Sequence, residues 1–359
     1  MQEVKAREAE KVLMKGTEAI GAAALLAGCR CYFGYPITPQ NEVGEYLSQE
    51  LPKVGGVFVQ AESETAAANM VYGAAGAGQR VMTSTAGPGY TLMLEGISAL
   101  AATELPAVIL LVMRKGPGGG GIDTAQTDYT SATRGGGHGG YHTLVFAPWS
   151  CQELFDLTQL SFYLADKYRN PVIVLADGTL AQMMESVEPR PLHFPEPLPP
   201  KTWAITGHDN LRPKNVIVDG TMTREAGEAL HVHLQAKYAQ MAREEQRYEV
   251  RALDDAEIVV FAFGTVARVA WTAAQRARRE GVRVGLVRPI SVYPFPYDVV
   301  EAAAGGRKVF VAEGNMGQML EDVRLAVGRK AEIGFVGQPA ELMSPTRIYE
   351  GIMRLAEGR

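Results

Sequence analysis

Cysteine is scarce in this sequence: only Cys29, Cys31 and Cys151 occur in 359 residues. Three are too few for a disulfide framework, and they cannot supply the four thiolates that an iron–sulfur cluster usually takes. A surplus of basic charge is also missing. Lysine and arginine total 35 against 40 acidic residues, a formal net charge of −5, so no broad basic face is available for nucleic acid. Long apolar runs are absent too. No stretch of about 18 apolar residues appears, which argues against a membrane span. The opening segment "MQEVKAREAEKVLMKG" mixes both charge signs and lacks an apolar centre, so no secretory leader is expected and the cytoplasm is the expected location. No short-period repeat is visible.

What remains is an ordinary globular balance, 47% hydrophobic and 21% charged, in a chain long enough for two or three domains. Apolar runs of strand length alternate with small-residue helical stretches. "CRCYFGYP", "GVFVQA", "RVMTST", "PAVILLVMR", "HTLVFAP" and "PVIVLAD" read as buried strands, with helices such as "TEAIGAAALLAG", closed by Gly28, between them. Strands that are apolar throughout and separated by helices predict an α/β fold with a parallel sheet covered on both faces. Residues 188–200, "EPRPLHFPEPLPP", carry six prolines and read as a stiff extended linker. Beyond it, "EIVVFAFG", "VRVGLVRP" and "KVFVAEG" predict a second, smaller α/β unit. The expected domains are 1–187 and 213–359, with a linker over 188–212.

Three side chains stand at predicted strand ends in the first unit. In "CYFGYPITPQ", two prolines restrict the chain around Pro36, Ile37 and Thr38, with Thr38-Pro39 as the expected helix start. Glu64 follows "VFVQA", with Ser63 as N-cap. It is either a first-turn carboxylate favoured by the helix dipole or a carboxylate facing a ligand. Arg114 ends "PAVILLVMR" and either reaches solvent or offers its fork to a substrate carboxylate. Gly87-Pro88-Gly89, in "TSTAGPGY", permits close backbone approach at the same edge. Together these make a small-anion site.

Two stretches, Gly116-x-Gly118-x-x-Gly121 and Gly135-x-Gly137-x-x-Gly140, match a dinucleotide fingerprint. Neither stands between a strand and a helix as that fingerprint requires, so both read as loops. His138 in the second is either an exposed loop residue or a substrate contact. "AEGNMGQMLEDV" passes through Gly314 and Gly317 into a helix whose N–H groups either hold an anion or form an ordinary turn.

Taken in order, "GYPITPQNEVGEYL", "QAESETAAANMVYGAAGAG", "TSTAGPGYTLMLEGISALAATELPAVILLVMR" and "ATRGGGHGGYHTLVFAPWSCQELFDLT" resemble the α subunit of 2-oxoacid:ferredoxin oxidoreductases. "DDAEIVVFAFGTVAR", "GVRVGLVRPISVYPFP" and "EGNMGQM" continue the match through the second half. The resemblance implies a pyrimidine-binding thiamine diphosphate domain followed by a unit similar to the C-terminal domain of transketolases. It implies that Glu64 bonds N1′ of the aminopyrimidine, that Thr38 reaches the substrate, and that Arg114 receives its carboxylate. Pro36, Ile37, Gly87 and Gly89 are then expected to line the cofactor.

No metal ligand is expected on this chain. "ADG" at 176–178 lacks the first glycine and the later asparagine of the thiamine diphosphate metal motif. In the family, the pyrophosphate, Mg²⁺ and a [4Fe-4S] cluster belong to a β subunit. The implied partners are therefore that β subunit, γ- and δ-type subunits and ferredoxin, without nucleic acid or membrane. The implied reaction is the oxidative decarboxylation of a 2-oxoacid with coenzyme A. "MRKGPGGGGIDTAQTDYTSATRGGGHG" looks more like the branched-chain (2-oxoisovalerate) type than the 2-oxoglutarate type. Lys115 and Arg134 in these loops keep a dicarboxylate open. Two other readings stand beside this one: a two-subunit 2-oxoacid decarboxylase and a non-catalytic assembly subunit.

Overall fold

The computed structural model describes residues 11–221, 223–328 and 331–358. The expectation that the first ten residues belong to no secretory leader lies outside this range. Strand β1 (Val12–Lys15) leads into α1 (Gly16–Leu26), β2 (Cys31–Gly34), α2 (Asn41–Glu50), β3 (Val57–Gln60) and α3 (Glu64–Gly76). Next come β4 (Val81–Ala86), α4 (Gly87–Ala102), β5 (Ala107–Met113), α5 (Tyr129–Arg134) and β6 (Leu144–Phe146). Helix α6 (Cys151–Tyr168), β7 (Pro171–Asp177), α7 (Gly178–Gln182) and β8 (Met184–Val187) close the first half.

The second half contains α8 (Arg224–Glu244), β9 (Tyr248–Arg251), β10 (Ile258–Phe261), α9 (Gly264–Arg279), β11 (Val284–Pro289) and β12 (Ser291–Tyr293). It ends with α10 (Tyr297–Ala304), β13 (Lys308–Glu313), α11 (Gln318–Val327), β14 (Ile333–Gly337) and α12 (Pro345–Ala356).

The apolar runs form a seven-stranded sheet in the order β12-β6-β7-β5-β4-β2-β3, parallel except for β12. Strands β4, β5 and β7 are buried at every position, because helices cover both faces. A second sheet, β14-β13-β10-β11-β9, is parallel except for β9. The predicted α/β architecture with its parallel sheet is therefore what the chain adopts. No helix among the described residues is long and apolar enough to cross a membrane.

Strand order locates the crevice. The chain runs outward from β2 to β3, returns across β2 to β4, and then proceeds the other way. Loops leaving the carboxyl ends of β2 and β4 diverge at such a reversal, and open α/β sheets bind ligands there. Those two loops carry Thr38 and Gly87-Pro88-Gly89.

Two helix starts differ from the sequence expectation. Helix α2 begins at Asn41 rather than at Thr38-Pro39. The Thr38 and Pro39 carbonyls are taken by the side chains of Arg114 (2.9 Å) and Gln182 (2.8 Å), which holds them out of a helical ladder. Helix α4 begins at Gly87, inside the stretch expected only to permit close backbone approach, with Pro88 in its first turn.

The proline-rich stretch has no regular secondary structure and is laid along α6. Gln159 bonds the Arg190 carbonyl (3.1 Å) and the Leu192 amide (2.9 Å), and Phe194 stacks on Tyr163 with ring centroids 4.3 Å apart. The two halves then interlock. Strand β12 pairs with β6 at the edge of the first sheet, and α8 buries Leu234, Tyr238 and Met241 in the main core. Arg288, 1% exposed, places two nitrogens 2.7 Å from the Glu153 carboxylate and lies over Trp149.

Candidate active site

Glu64 is the first residue of α3 and is 5% exposed. The expected N-cap is present: the Ser63 hydroxyl accepts the Ala66 amide at 3.2 Å. That bond fixes the helix start and holds Glu64 at the positive end of the helix dipole. Among the described residues, nothing hydrogen-bonds or ion-pairs with the Glu64 carboxylate, although buried polar groups are nearly always satisfied.

The first turn of α4 lies directly against it. A Cβ on Gly89 would stand 2.4 Å from Glu64 Oε1 and 2.3 Å from Thr85 Oγ1, so only glycine lets the carboxylate occupy this position. Thus the structure brings Glu64 and Gly89 together, from elements far apart in sequence.

Arg114 sits one residue beyond β5. Its Nη1 donates to the Thr38 carbonyl (2.9 Å) and its Nη2 to the Gly119 carbonyl (3.2 Å). Thr38 and Arg114 therefore meet through the Thr38 backbone, while the Thr38 side chain is left exposed. Among the described residues, Arg114 Nε is buried without a partner. The Arg114 amide donates to Asp128 Oδ2 (3.2 Å), and Gly87 lies against Asp128 and Arg114 Cγ. Burial pushes the Asp128 carboxyl up to about 6, and its hydrogen bond from the Arg114 amide opposes the shift.

Ile37 gives its carbonyl to the Gln40 amide at 3.1 Å. Pro36 lines a separate cavity of about 240 Å³ with Tyr35 and Gln60. Between these groups, Gln40 is 1% exposed and anchors the loop: its Nε2 donates to the Tyr35 carbonyl (3.3 Å), and its Oε1 accepts the Ser84 hydroxyl.

A cavity of about 510 Å³ opens beside Arg114, at the seam between the two halves. Gly87, Pro88 and Asp128 form one wall, and Asn315, Met316 and Pro339 form the other. The seam is pinned by Gln126, 1% exposed. Its Nε2 donates to the Phe263 carbonyl (3.0 Å), and its Oε1 accepts the Gly314 amide (2.9 Å).

Lys115 Nζ is 3.9 Å from Asp123, and Arg134 is 2.5 Å from Asp322, so each cation of these loops has its own carboxylate. His138 is exposed, with the Ser98 hydroxyl on its carbonyl. Neither glycine-rich stretch opens a long helix.

The turn "EGNMGQ" does not hold an external anion. Glu313 accepts the Met319 and Leu320 amides, both at 2.8 Å, and Asn315 Oδ1 accepts those of Gly317 (2.7 Å) and Gln318 (2.9 Å). The chain fills its own helix N-terminus, which is the ordinary-turn reading. Asp128, Gln126, Gln40 and Glu313 were not singled out from the sequence. Only Asp128 carried a local signal, an acidic residue immediately before the helix that opens at Tyr129. Among the described residues, no group of three or more histidine, cysteine or acidic side chains is placed to hold a metal ion.

Two family models cover most of the chain. Residues 22–255 match "Pyruvate flavodoxin/ferredoxin oxidoreductase, thiamine diP-binding", and residues 256–342 match "Pyruvate:ferredoxin oxidoreductase core domain II". The ketoisovalerate oxidoreductase subunit VorB of Methanothermobacter thermautotrophicus is 50% identical over 321 residues, 88% of this chain and 90% of that one. Among solved structures, a 2-oxoglutarate:ferredoxin oxidoreductase from Magnetococcus marinus, with 2-oxoglutarate, coenzyme A and succinyl-CoA bound, superposes with a TM-score of 0.83 at 28% identity. That match covers 96% of this chain and 65% of the other, so the chain spans about two thirds of its length. A split-gene transketolase, in an inactive β4 tetramer, agrees in fold, with a TM-score of 0.57 at 14% identity over 95% of this chain and 97% of that one.

Proposed function

This chain belongs to the thiamine diphosphate-binding pyruvate flavodoxin/ferredoxin oxidoreductase family, and from that membership we propose that it is the α-type subunit of a coenzyme A-dependent 2-oxoacid:ferredoxin oxidoreductase. The overall reaction converts a 2-oxoacid, coenzyme A and two oxidised ferredoxins into an acyl-CoA, CO₂, two reduced ferredoxins and a proton. A branched-chain 2-oxoacid is the favoured substrate, because the likeness to the ketoisovalerate subunit is 50%, against 33–36% for 2-oxoglutarate synthase subunits of several archaea.

The observation that carries this reading is the Glu64 carboxylate, buried, unpartnered among the described residues and given clearance by Gly89. Such a group fits the aminopyrimidine of thiamine diphosphate. Bound there, the cofactor supplies an electron sink for the bond that breaks when CO₂ leaves. Glu64 holds a proton at the ring nitrogen facing it, in a charge-assisted hydrogen bond. Arg114 receives the substrate carboxylate, and the Thr38 carbonyl orients its guanidinium.

The diphosphate, its Mg²⁺ and a [4Fe-4S] cluster are assigned to a β subunit. Subunits of γ and δ type complete the complex, with ferredoxin as acceptor. Support for this comes from the three cysteines, all buried, and from the subunit designation of the relative.

The test is anaerobic purification from the native host, followed by assays for iron, thiamine and coenzyme A-dependent viologen reduction across several 2-oxoacids. An iron-bearing partner with reduction fastest on 2-oxoisovalerate is expected. Much faster turnover of 2-oxoglutarate would move the substrate to the dicarboxylate. A lone chain without thiamine or activity would favour an assembly subunit.

A further inference from the structure

We propose that Asp128 is a specificity-determining residue, whose carboxylate excludes 2-oxoacids that carry a second carboxylate from the cavity beside Arg114. The proposal deepens the reading above and rests on Arg114 receiving the carboxylate next to the oxo group.

Three observations converge on it. The first is position: Asp128 lines the same 510 Å³ cavity as Arg114, and its Oδ2 is 3.2 Å from the Arg114 amide. Gly87 keeps the wall beside it bare, since a Cβ there would come within 3.2 Å of Oδ1 and 3.4 Å of Oδ2. The second is charge. Lys115, which also lines the cavity, has Asp123 at 3.9 Å, and Arg134 has Asp322 at 2.5 Å, so among the described residues each cation of these loops already faces a carboxylate. Like charges a few ångströms apart in a partly buried cavity repel strongly. Pro88, Pro117, Met316 and Pro339 give the cavity an apolar stretch, with Met316 presenting 74% of its surface, beside the polar Thr91, Thr127, Ser131, Asn315 and Gln318.

The third is that the charge has no structural task. Asp128 precedes α5 but its side chain makes no capping bond, and among the described residues it takes part in no salt bridge within 4 Å. Its one hydrogen bond, from the Arg114 amide, would be accepted equally well by the oxygen of an asparagine. Burial penalises the ionised form, as its raised pKa reflects. A part-buried carboxylate with no salt bridge among the described residues, set beside the guanidinium assigned to the substrate, points to work on a ligand.

The experiment compares kcat/KM for 2-oxoglutarate and 2-oxoisovalerate in the assembled complex carrying wild type, Asp128→Asn, Met316→Arg or Arg114→Ala. In Asp128→Asn, the ratio of 2-oxoglutarate to 2-oxoisovalerate is expected to rise tenfold or more, with 2-oxoisovalerate kept within threefold. Met316→Arg, which supplies a cation to the same cavity, is expected to raise the ratio as well. A ratio within twofold of wild type in Asp128→Asn overturns the proposal. So does an equal loss on both acids, or a failure to assemble, since the carboxylate would then be structural. If Asp128→Asn is silent while Met316→Arg responds, the cavity is the substrate pocket and Asp128 is not its filter. If Arg114→Ala leaves KM for both acids unchanged, the underlying assignment of Arg114 has failed instead.

Discussion

Each half of the molecule buries a glutamate where a strand gives way to a helix, and the two are treated in opposite ways. Glu313 ends β13 with no exposed surface, and its two oxygens accept the Met319 and Leu320 amides at 2.8 Å each. It satisfies the free N–H groups of α11 from within the chain. Glu64 begins α3 at 5% exposure and has no hydrogen-bond or ion-pair partner among the described residues. Gly89 meanwhile leaves the space against it empty of side chain. The residue type, burial and place in a βα unit are shared. What separates a structural carboxylate from a functional one here is whether the chain supplies its partner.

The largest effect should follow from removing the charge of the open glutamate. Glu64→Gln keeps the shape, breaks no internal bond and relieves the burial of a charge, so stability should stay within about 1 kcal/mol of wild type. Turnover in the assembled complex should fall by about 10²–10⁴, the usual range for removing a positioned proton-transfer group. Anaerobic viologen reduction and a thermal melt on the same preparation check both halves. Activity within fivefold of wild type would make Glu64 another structural carboxylate and erase the contrast with Glu313.

Gly89→Ala asks whether the clearance matters as much as the charge. A methyl group 2.4 Å from Glu64 Oε1 and 2.3 Å from Thr85 Oγ1 forces one of them to move. Overpacking of this kind typically costs about 1–3 kcal/mol. Part of that displacement falls on the carboxylate, so thiamine diphosphate affinity should weaken by about 10-fold, on the order of 1.4 kcal/mol. Titration of the apo complex with the cofactor measures it. Unchanged affinity would show that Glu64 tolerates displacement and that the bare wall is incidental.

The contrast explains which parts of the site were legible in the sequence. Continuous apolar runs announced β5 and β7, because a parallel sheet covered on both faces leaves no polar side to its strands. Ser63 announced the start of α3, since an N-cap is a local device that shows in adjacent residues. Glu64 and Arg114 stood out because strand ends are where such sheets bind ligands.

What the sequence hid was long-range. The three residues of β12 pair with β6, whose partners lie about 145 positions earlier, and no local pattern marks that choice. Gln126 stands in polar loop sequence, and its amide oxygen accepts the amide of Gly314, 188 positions on. Helix α2 starts later than its local sequence suggests because the Thr38 and Pro39 carbonyls accept from the side chains of Arg114 and Gln182. Glycine-rich and polar loops have no periodicity to betray a burial pattern, and Asp128 was lost among them.

The smallest effect on turnover belongs to the closed glutamate, where the consequence is for stability and depends on pH. Burial raises the Glu313 carboxyl from 4.5 to about 7, against the opposing hydrogen bonds from Met319 and Leu320. Below about 4.5 both the folded and unfolded chains carry the proton. Between there and about 7 the folded chain keeps a proton that the unfolded chain has released, so stability falls as pH rises through this window. Above it both forms are ionised and the contribution is gone. The loss is on the order of 1–3 kcal/mol for a shift of this direction and size. Glu313→Gln cannot titrate, so its melting temperature should lack this part of the slope between pH 5 and 7.5. Subtracting the two curves removes the other carboxyls that burial raises, Asp128 and Asp177 among them. Activity at pH 7 should remain within about twofold, since the variant leaves Arg114 and Glu64 untouched. Parallel melting curves across that range would show that Glu313 is ionised throughout, held by its two amides alone. The difference between it and Glu64 would then rest on those two hydrogen bonds.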